Sequence, residues 1–180
     1  MEPASALQNE LKTTLKTVNG PWELDFPSNT ETPDKVKLEQ LQSWTEHINA
    51  GEKYFSGTAT YNKTINAPTD WFQEDVKLIL DLGQVMDIAE VSINRKLLGI
   101  GWKPPYSFDI TGILKPGANQ LRIQVTNQWT NRLLGDRNPE VKQKVLPADS
   151  EDIRFFGTPP LLQESGLMGP VTITSIKRNE

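Results

Sequence analysis

Three aromatic side chains and a handful of planar polar ones fall close together in this sequence, in a combination suited to holding a sugar. A sugar ring offers an apolar C–H face that stacks on an indole or phenol. Its vicinal hydroxyls pair with two-headed groups such as amides, carboxylates and guanidinium. Trp102, Tyr106 and Trp129 supply rings, and Asn127, Asn131, Arg132 and Asp136 supply polar groups. Trp102 precedes Lys103-Pro104-Pro105, a stiff turn that would present its ring at a rim. Trp129 follows an alternating strand and falls at a rim as well. Both rings have a plainer use, capping the ends of the core or sealing an interface, and that use is the favoured one. Arg132 and Asp136 would then be an ion pair anchoring a loop, of little energetic weight if exposed. The candidate carbohydrate-binding set is Trp102, Tyr106, Trp129, Asn131, Arg132 and Asp136.

No residue qualifies as catalytic. Acid–base cleavage by paired carboxylates needs two acids roughly 5 to 10 Å apart across a cleft. With 23 Asp and Glu in the chain, some pair always meets that condition, and no motif raises one above the rest. Asp109 lies in Asp109-Ile110-Thr111, where an Asx-type turn cap is the expected role; Asp81 and Asp136 read the same way. His47 is the single histidine and Cys is absent, so a nucleophilic triad or a zinc site has too few parts. His47 is therefore read as structural or solvated. No cofactor is expected. A structural calcium bound by oxygen ligands stays open, without an Asp-rich loop of the usual spacing to hold it.

The elements that must position these residues read as strands. Trp22, Leu24 and Phe26 alternate with Glu23 and Asp25. Thr58 to Ile65, Val76 to Leu82, Ala89 to Ile93, Tyr106 to Ile110 and Leu121 to Val125 alternate likewise, and Val171 and Ile173 close the chain with a last strand. Gly83, Asn94-Arg95-Lys96, Thr111-Gly112 and Lys115-Pro116-Gly117-Ala118-Asn119 punctuate them as turns. Val36, Leu38 and Leu41 lead to Ser43-Trp44-Thr45, a strand or a turn of helix. Trp22, Trp44 and Trp71 are assigned to packing. Residues 4–18 place Ala4, Leu7, Leu11, Leu15 and Val18 three or four apart, which predicts a short helix. At least seven short strands with frequent turns predict an all-β antiparallel sandwich over 21–180, behind a helical lead-in over 1–20. Residues 133–160 are poor in strand signal and read as a functional or packing loop.

Bulk properties narrow the partners. The chain has 180 residues and a formal net charge of −4, with both signs interspersed and no basic run, so nucleic acid is not expected. No apolar window of about 18 residues predicts a membrane span. Met1 to Gly20 lacks a signal-peptide pattern and reads as the continuation of a longer polypeptide.

Residues 56–127 resemble the sugar-binding, galactose-binding-like jelly-roll domain of family 2 glycoside hydrolases. The carrying segments are Gly57-Thr58-Ala59-Thr60-Tyr61, Leu80-Asp81-Leu82-Gly83, Ala89 to Gly99, Pro105 to Thr111 and Leu114 to Leu121. Arg95 stands where that family usually has Gly. Gly101 to Tyr106, Thr126 to Asp136 and Glu164 to Val171 are most similar to the C-terminal domain of family 106 α-L-rhamnosidase-like enzymes. The resemblance implies a bacterial accessory domain that supports a catalytic domain lying upstream in its polypeptide, outside this chain, with contact to carbohydrate as an open further role. It also implies export to the periplasm or beyond. An autonomous carbohydrate-binding module and a self-contained two-carboxylate glycosidase are the alternatives.

Overall fold

The computed structural model describes residues 10–28, 32–33, 35–138, 141–142, 144 and 161–178. Its elements, in chain order, are β1 (Glu10–Thr17), β2 (Trp22–Asp25), β3 (Lys35–Leu38), α1 (Ala50–Lys53), β4 (Thr58–Ala67), β5 (Val76–Asp81), β6 (Gln84–Met86), β7 (Ile88–Ile93), β8 (Lys96–Gly101), β9 (Ser107–Asp109), β10 (Gly117–Thr126), α2 (Thr130–Gly135), β11 (Gly166–Gly169) and β12 (Thr172–Arg178). They form a six-stranded sheet in the order β3-β2-β4-β10-β7-β8, a four-stranded sheet in the order β1-β12-β5-β9, and a small β11-β6 pair. Every pairing is antiparallel.

Alternation in the sequence becomes sidedness in the sheets. Successive strand residues point to opposite faces, so apolar residues two apart share one face. Leu121, Ile123 and Val125 of β10 are buried, as are Ala59, Tyr61 and Ile65 of β4 and Val91 and Ile93 of β7. Leu78 and Leu80 of β5 and Ile173 of β12 bury the facing side of the other sheet. Each such Leu or Ile contributes about 1.5–3 kcal/mol of burial. Trp22 and Trp44 are fully buried, and Trp71 packs against the core as a partly buried residue.

The expected helix over 4–18 is corrected. Residues 10–17 form β1, an edge strand paired with β12 through Leu11↔Lys177 and Thr14↔Thr174. Leu11 is 57% exposed, so the leucine spacing never made a buried helical face. Thr13, Thr14 and Thr17 favour extended backbone, and β12 supplies a ladder that a lone helix could not match. The described part of the lead-in thus belongs to the sandwich, and residues 1–9 lie outside the described residues. Trp44–Glu46 is a 3-10 turn capped by the Ser43 hydroxyl. The stretch from residue 133 opens with the end of α2, and its later part, residues 145–160, lies outside the described residues.

Asn94 and Arg95 close the β7–β8 hairpin at φ 52° and 67°, the left-handed pair of a type I′ turn. Arg95 thus takes the conformation that glycine usually supplies. The Asn94 carboxamide holds the turn: its Oδ1 accepts from Gln120 N–H (2.9 Å) and its Nδ2 donates to Asn119 Oδ1 (2.8 Å).

Candidate functional site

The strand registers bring one end of the six-stranded sheet together. Thr126 of β10 stands between Thr58 of β4 and Ile88 of β7, and Ala89 of β7 lies opposite Gly101 of β8. Trp102 follows Gly101 and Trp129 follows Thr126 by three residues, so both rings sit at this rim. Neither caps the core: Trp102 is 69% exposed and Trp129 61%. The Lys103 ammonium lies 5.0 Å above the Trp102 ring.

The other four candidates point inward. Tyr106 is buried against Gly101, and its hydroxyl donates to the Asp87 carbonyl at 2.6 Å. Burial raises its phenol above the ordinary value, with the Asp87 charge adding to the shift. A ring so placed cannot be a stacking platform. Asn131 is buried on α2, where its Nδ2 donates to the Gln163 carbonyl (2.7 Å) and Ser165 Oγ (2.9 Å) and its Oδ1 accepts from Gln163 N–H (2.8 Å). Arg132 and Asp136 do form the expected ion pair, Nε to Oδ1 at 3.3 Å, yet the pair is nearly buried rather than exposed. These groups tie the rim together from the inside.

Asn127 completes that bracket. Its Oδ1 accepts from Gly57 N–H (2.9 Å) and its Nδ2 donates to the Phe55 carbonyl (2.9 Å) and Ser165 Oγ (3.1 Å). Ser165 N–H in turn donates to Ser43 Oγ (3.0 Å). Beside it, Gly166 sits at φ +95°, and a Cβ there would come within 2.6 Å of Trp44 Nε1 and 2.7 Å of the Tyr61 hydroxyl. That close approach requires glycine. Trp44 Nε1 donates to Tyr61 Oη (2.6 Å), which also accepts from Leu167 N–H (3.0 Å). The Glu164 to Val171 motif therefore encodes the seam between the rim and the core.

A cleft of about 520 Å³ opens at this rim, lined among others by Asp87, Gln128, Thr130, Gln163 and Glu164. Trp129 lies in the chain between two of these residues. Glu164 is exposed, and its carboxylate accepts from Gln84 Nε2 at 3.1 Å. Gln128 and Glu164 fall inside motifs visible in the sequence. Asp87 and Gln163 had no local signal, because they reach the cleft from the β6–β7 junction and from the segment before β11.

Of the three acids read from sequence as turn caps, Asp136 instead pairs with Arg132, while Asp109 and Asp81 are turn caps. Asp109 Oδ1 accepts from Thr111 N–H (2.9 Å), and hydrogen bonding from Thr111 holds its carboxyl below the usual range. Asp81 accepts from Gly83 N–H and Ser107 Oγ, both at 2.9 Å. His47 is structural: its Nδ1 pairs with the buried Glu52 carboxylate and ties the Trp44 turn to α1.

Residues 36–155 match the family described as glycosyl hydrolase 2 galactose-binding domain-like. A Formosa agariphila protein with a provisional beta-glucuronidase name is 43% identical over 189 residues, which cover 91% of this chain and 16% of that protein. The structure of a rhamnosidase from Novosphingobium sp. PP1Y superimposes with a TM-score of 0.82 at 32% identity, covering 97% of this chain and 16% of that one. A beta-D-glucuronidase of Dictyoglomus thermophilum shares the fold, with a TM-score of 0.58 at 20% identity, over 99% of this chain and 30% of its own.

Proposed function

Because this chain belongs to the glycosyl hydrolase 2 galactose-binding domain-like family, we propose that it serves as a non-catalytic accessory module of a bacterial, exported glycoside hydrolase. Its task is to buttress the catalytic domain of the parent polypeptide. One observation carries this reading: the chain spans only 16% of the length of both the Formosa protein and the Novosphingobium rhamnosidase. The bracket of Asn127, Asn131 and Ser165 fits it, since buried polar groups satisfied by one another make a rim rigid rather than reactive. An α-L-rhamnosidase-like parent is the finer reading, supported by the 32% identity to the rhamnosidase.

Calorimetry tests the role. Deleting residues 10–178 from the parent is expected to lower the melting temperature of the remaining catalytic region and to leave its active-site chemistry in place. An unchanged melting temperature would contradict the proposal.

Direct sugar contact is a second reading, favoured by the exposed Trp129 flanked by Gln128 and Thr130 on the polar cleft. Titration with rhamnose, glucuronate and galactose at millimolar concentration decides it. Binding that Trp129→Ala abolishes without changing the fold supports contact, and absence of heat at all three sugars removes it.

A further inference from the structure

The two edges of the six-stranded sheet are finished differently. An edge strand exposes unpaired backbone groups, and proteins guard such edges with charge, shortness or cover. β3, at one edge, carries exposed Lys35 and Lys37. β1, an edge of the other sheet, carries Glu10 and Lys12, and β9 is only three residues long. β8, the opposite edge of the six-stranded sheet, reads Lys-Leu-Leu-Gly-Ile-Gly, with its single charge at the hairpin end.

Register shows where its apolar residues lie. Leu97 pairs with Ser92 and Ile100 with Glu90, and the β7 residues buried in the core are the alternate ones, Ala89, Val91 and Ile93. Leu97 and Ile100 are therefore on the outer face. Ile88 shares that face by alternation with Glu90 and Ser92, and Trp102 directly follows Gly101, the residue opposite Ala89. Exposure is 41% for Ile88, 56% for Leu97, 58% for Ile100 and 69% for Trp102. Four large exposed apolar side chains gather at and beside this edge, on the order of a few hundred Å², the size of the largest apolar patch on a typical monomer, which is often functional.

We propose that this edge, formed by Ile88, Leu97, Ile100 and Trp102, is covered by an apolar surface of a neighbouring domain of the same polypeptide. The proposal rests on the accessory-module reading and adds the surface through which the module acts. Three observations select this occupant. The relatives are about six times longer than the segment matched here, so most of their polypeptide is available to cover it. A stable pair of free copies needs about 800 Å² on each partner, more than this patch supplies, whereas a tether raises the local concentration to about millimolar and lets a small patch suffice. A sugar fits poorly, because Leu97 and Ile100 offer no hydrogen bond to hydroxyls and Lys103 already sits over the Trp102 ring.

Hydroxyl-radical footprinting of the intact parent polypeptide tests the proposal, with the fully exposed Ile48 as internal reference. After normalisation for residue type, Leu97, Ile100 and Trp102 are expected to react about tenfold more slowly than Ile48, as side chains at the core of an interface do. Protection should survive dilution to a monomer. In the Leu97→Asp/Ile100→Asp variant, Trp102 should regain its reactivity while the protections of Tyr61 and Trp44 in the core stay intact. A reactive Trp102 with protection on another face overturns the surface and keeps the accessory reading. If no exposed side chain of the domain is protected, the accessory reading falls as well. Protection that vanishes on dilution assigns the edge to a second copy and overturns the proposal.

Discussion

Tyr61→Phe should be among the most costly single-atom deletions in this domain. The tyrosine ring is fully buried, and its hydroxyl oxygen accepts from two buried donors, Trp44 Nε1 at 2.6 Å and Leu167 N–H at 3.0 Å. Phenylalanine keeps the ring's volume and adds no large cavity, so the cost comes almost wholly from orphaned donors. Each is worth about 1–3 kcal/mol when left without a partner, less what is regained by not burying a hydroxyl. A net loss of about 3 kcal/mol follows, which for a chain of this size lowers the melting temperature by about 6–12 °C. Urea titration followed by tryptophan emission and circular dichroism measures it. Burial pushes the Tyr61 phenol well above its ordinary value. The fold therefore retains that proton where the unfolded chain releases it. Its contribution is complete below about pH 10, the unfolded value, and is lost as pH rises beyond. Tyr61→Phe should lose stability less steeply above pH 10 than the unaltered chain. A loss below 0.5 kcal/mol (far under the 1–3 kcal/mol expected for one orphaned donor), together with an unchanged alkaline slope, would refute the argument.

Asn131→Ala removes both ties between α2 and Gln163; hydrogen exchange at the Gln163 amide should quicken about tenfold or more, consistent with the loss of about 1.5 kcal/mol or more of local hydrogen bonding. Arg95→Gly relieves a side chain held at φ 67°, and its gain, offset in part by glycine's unfolded-state entropy, should come to about 0.5–1 kcal/mol by denaturant titration. Because Thr111 holds the Asp109 carboxyl low, the stability it supplies is present above the ordinary carboxylate value and is lost as pH falls through the lowered one. Stability between pH 5 and pH 2, about the span over which such a carboxyl titrates, should therefore decline less steeply in Asp109→Asn.

The strands were legible because period-two alternation has one physical meaning in a half-buried sheet, and Leu121, Ile123 and Val125 turn inward as that meaning requires. β1 was misread because Leu11 and Leu15 mimic helical spacing, while the deciding factor, a free ladder on β12, lies far away in the chain. The rim was half legible. The rim position of Trp102 and Trp129 followed from their places after strand ends, but their exposure did not, since a ring at a strand end caps a core as readily as it faces solvent. The inward turn of Tyr106, Asn131 and Asp136 did not, since an amide or carboxylate near an aromatic ring serves backbone groups as readily as it serves a sugar. Ser165 and Gly166 belonged to a recognisable motif, yet their role became visible only beside Trp44 and Tyr61.

A domain that only supports its neighbour cleaves no glycosidic bond. The rim cleft does hold two carboxylates, Asp87 and Glu164, the minimum equipment for glycoside hydrolysis. Incubating the purified chain with nitrophenyl rhamnoside, glucuronide and galactoside should release nitrophenol no faster than buffer. Release that is saturable and disappears in Asp87→Asn or Glu164→Gln would make this domain an enzyme and contradict its assignment as a support.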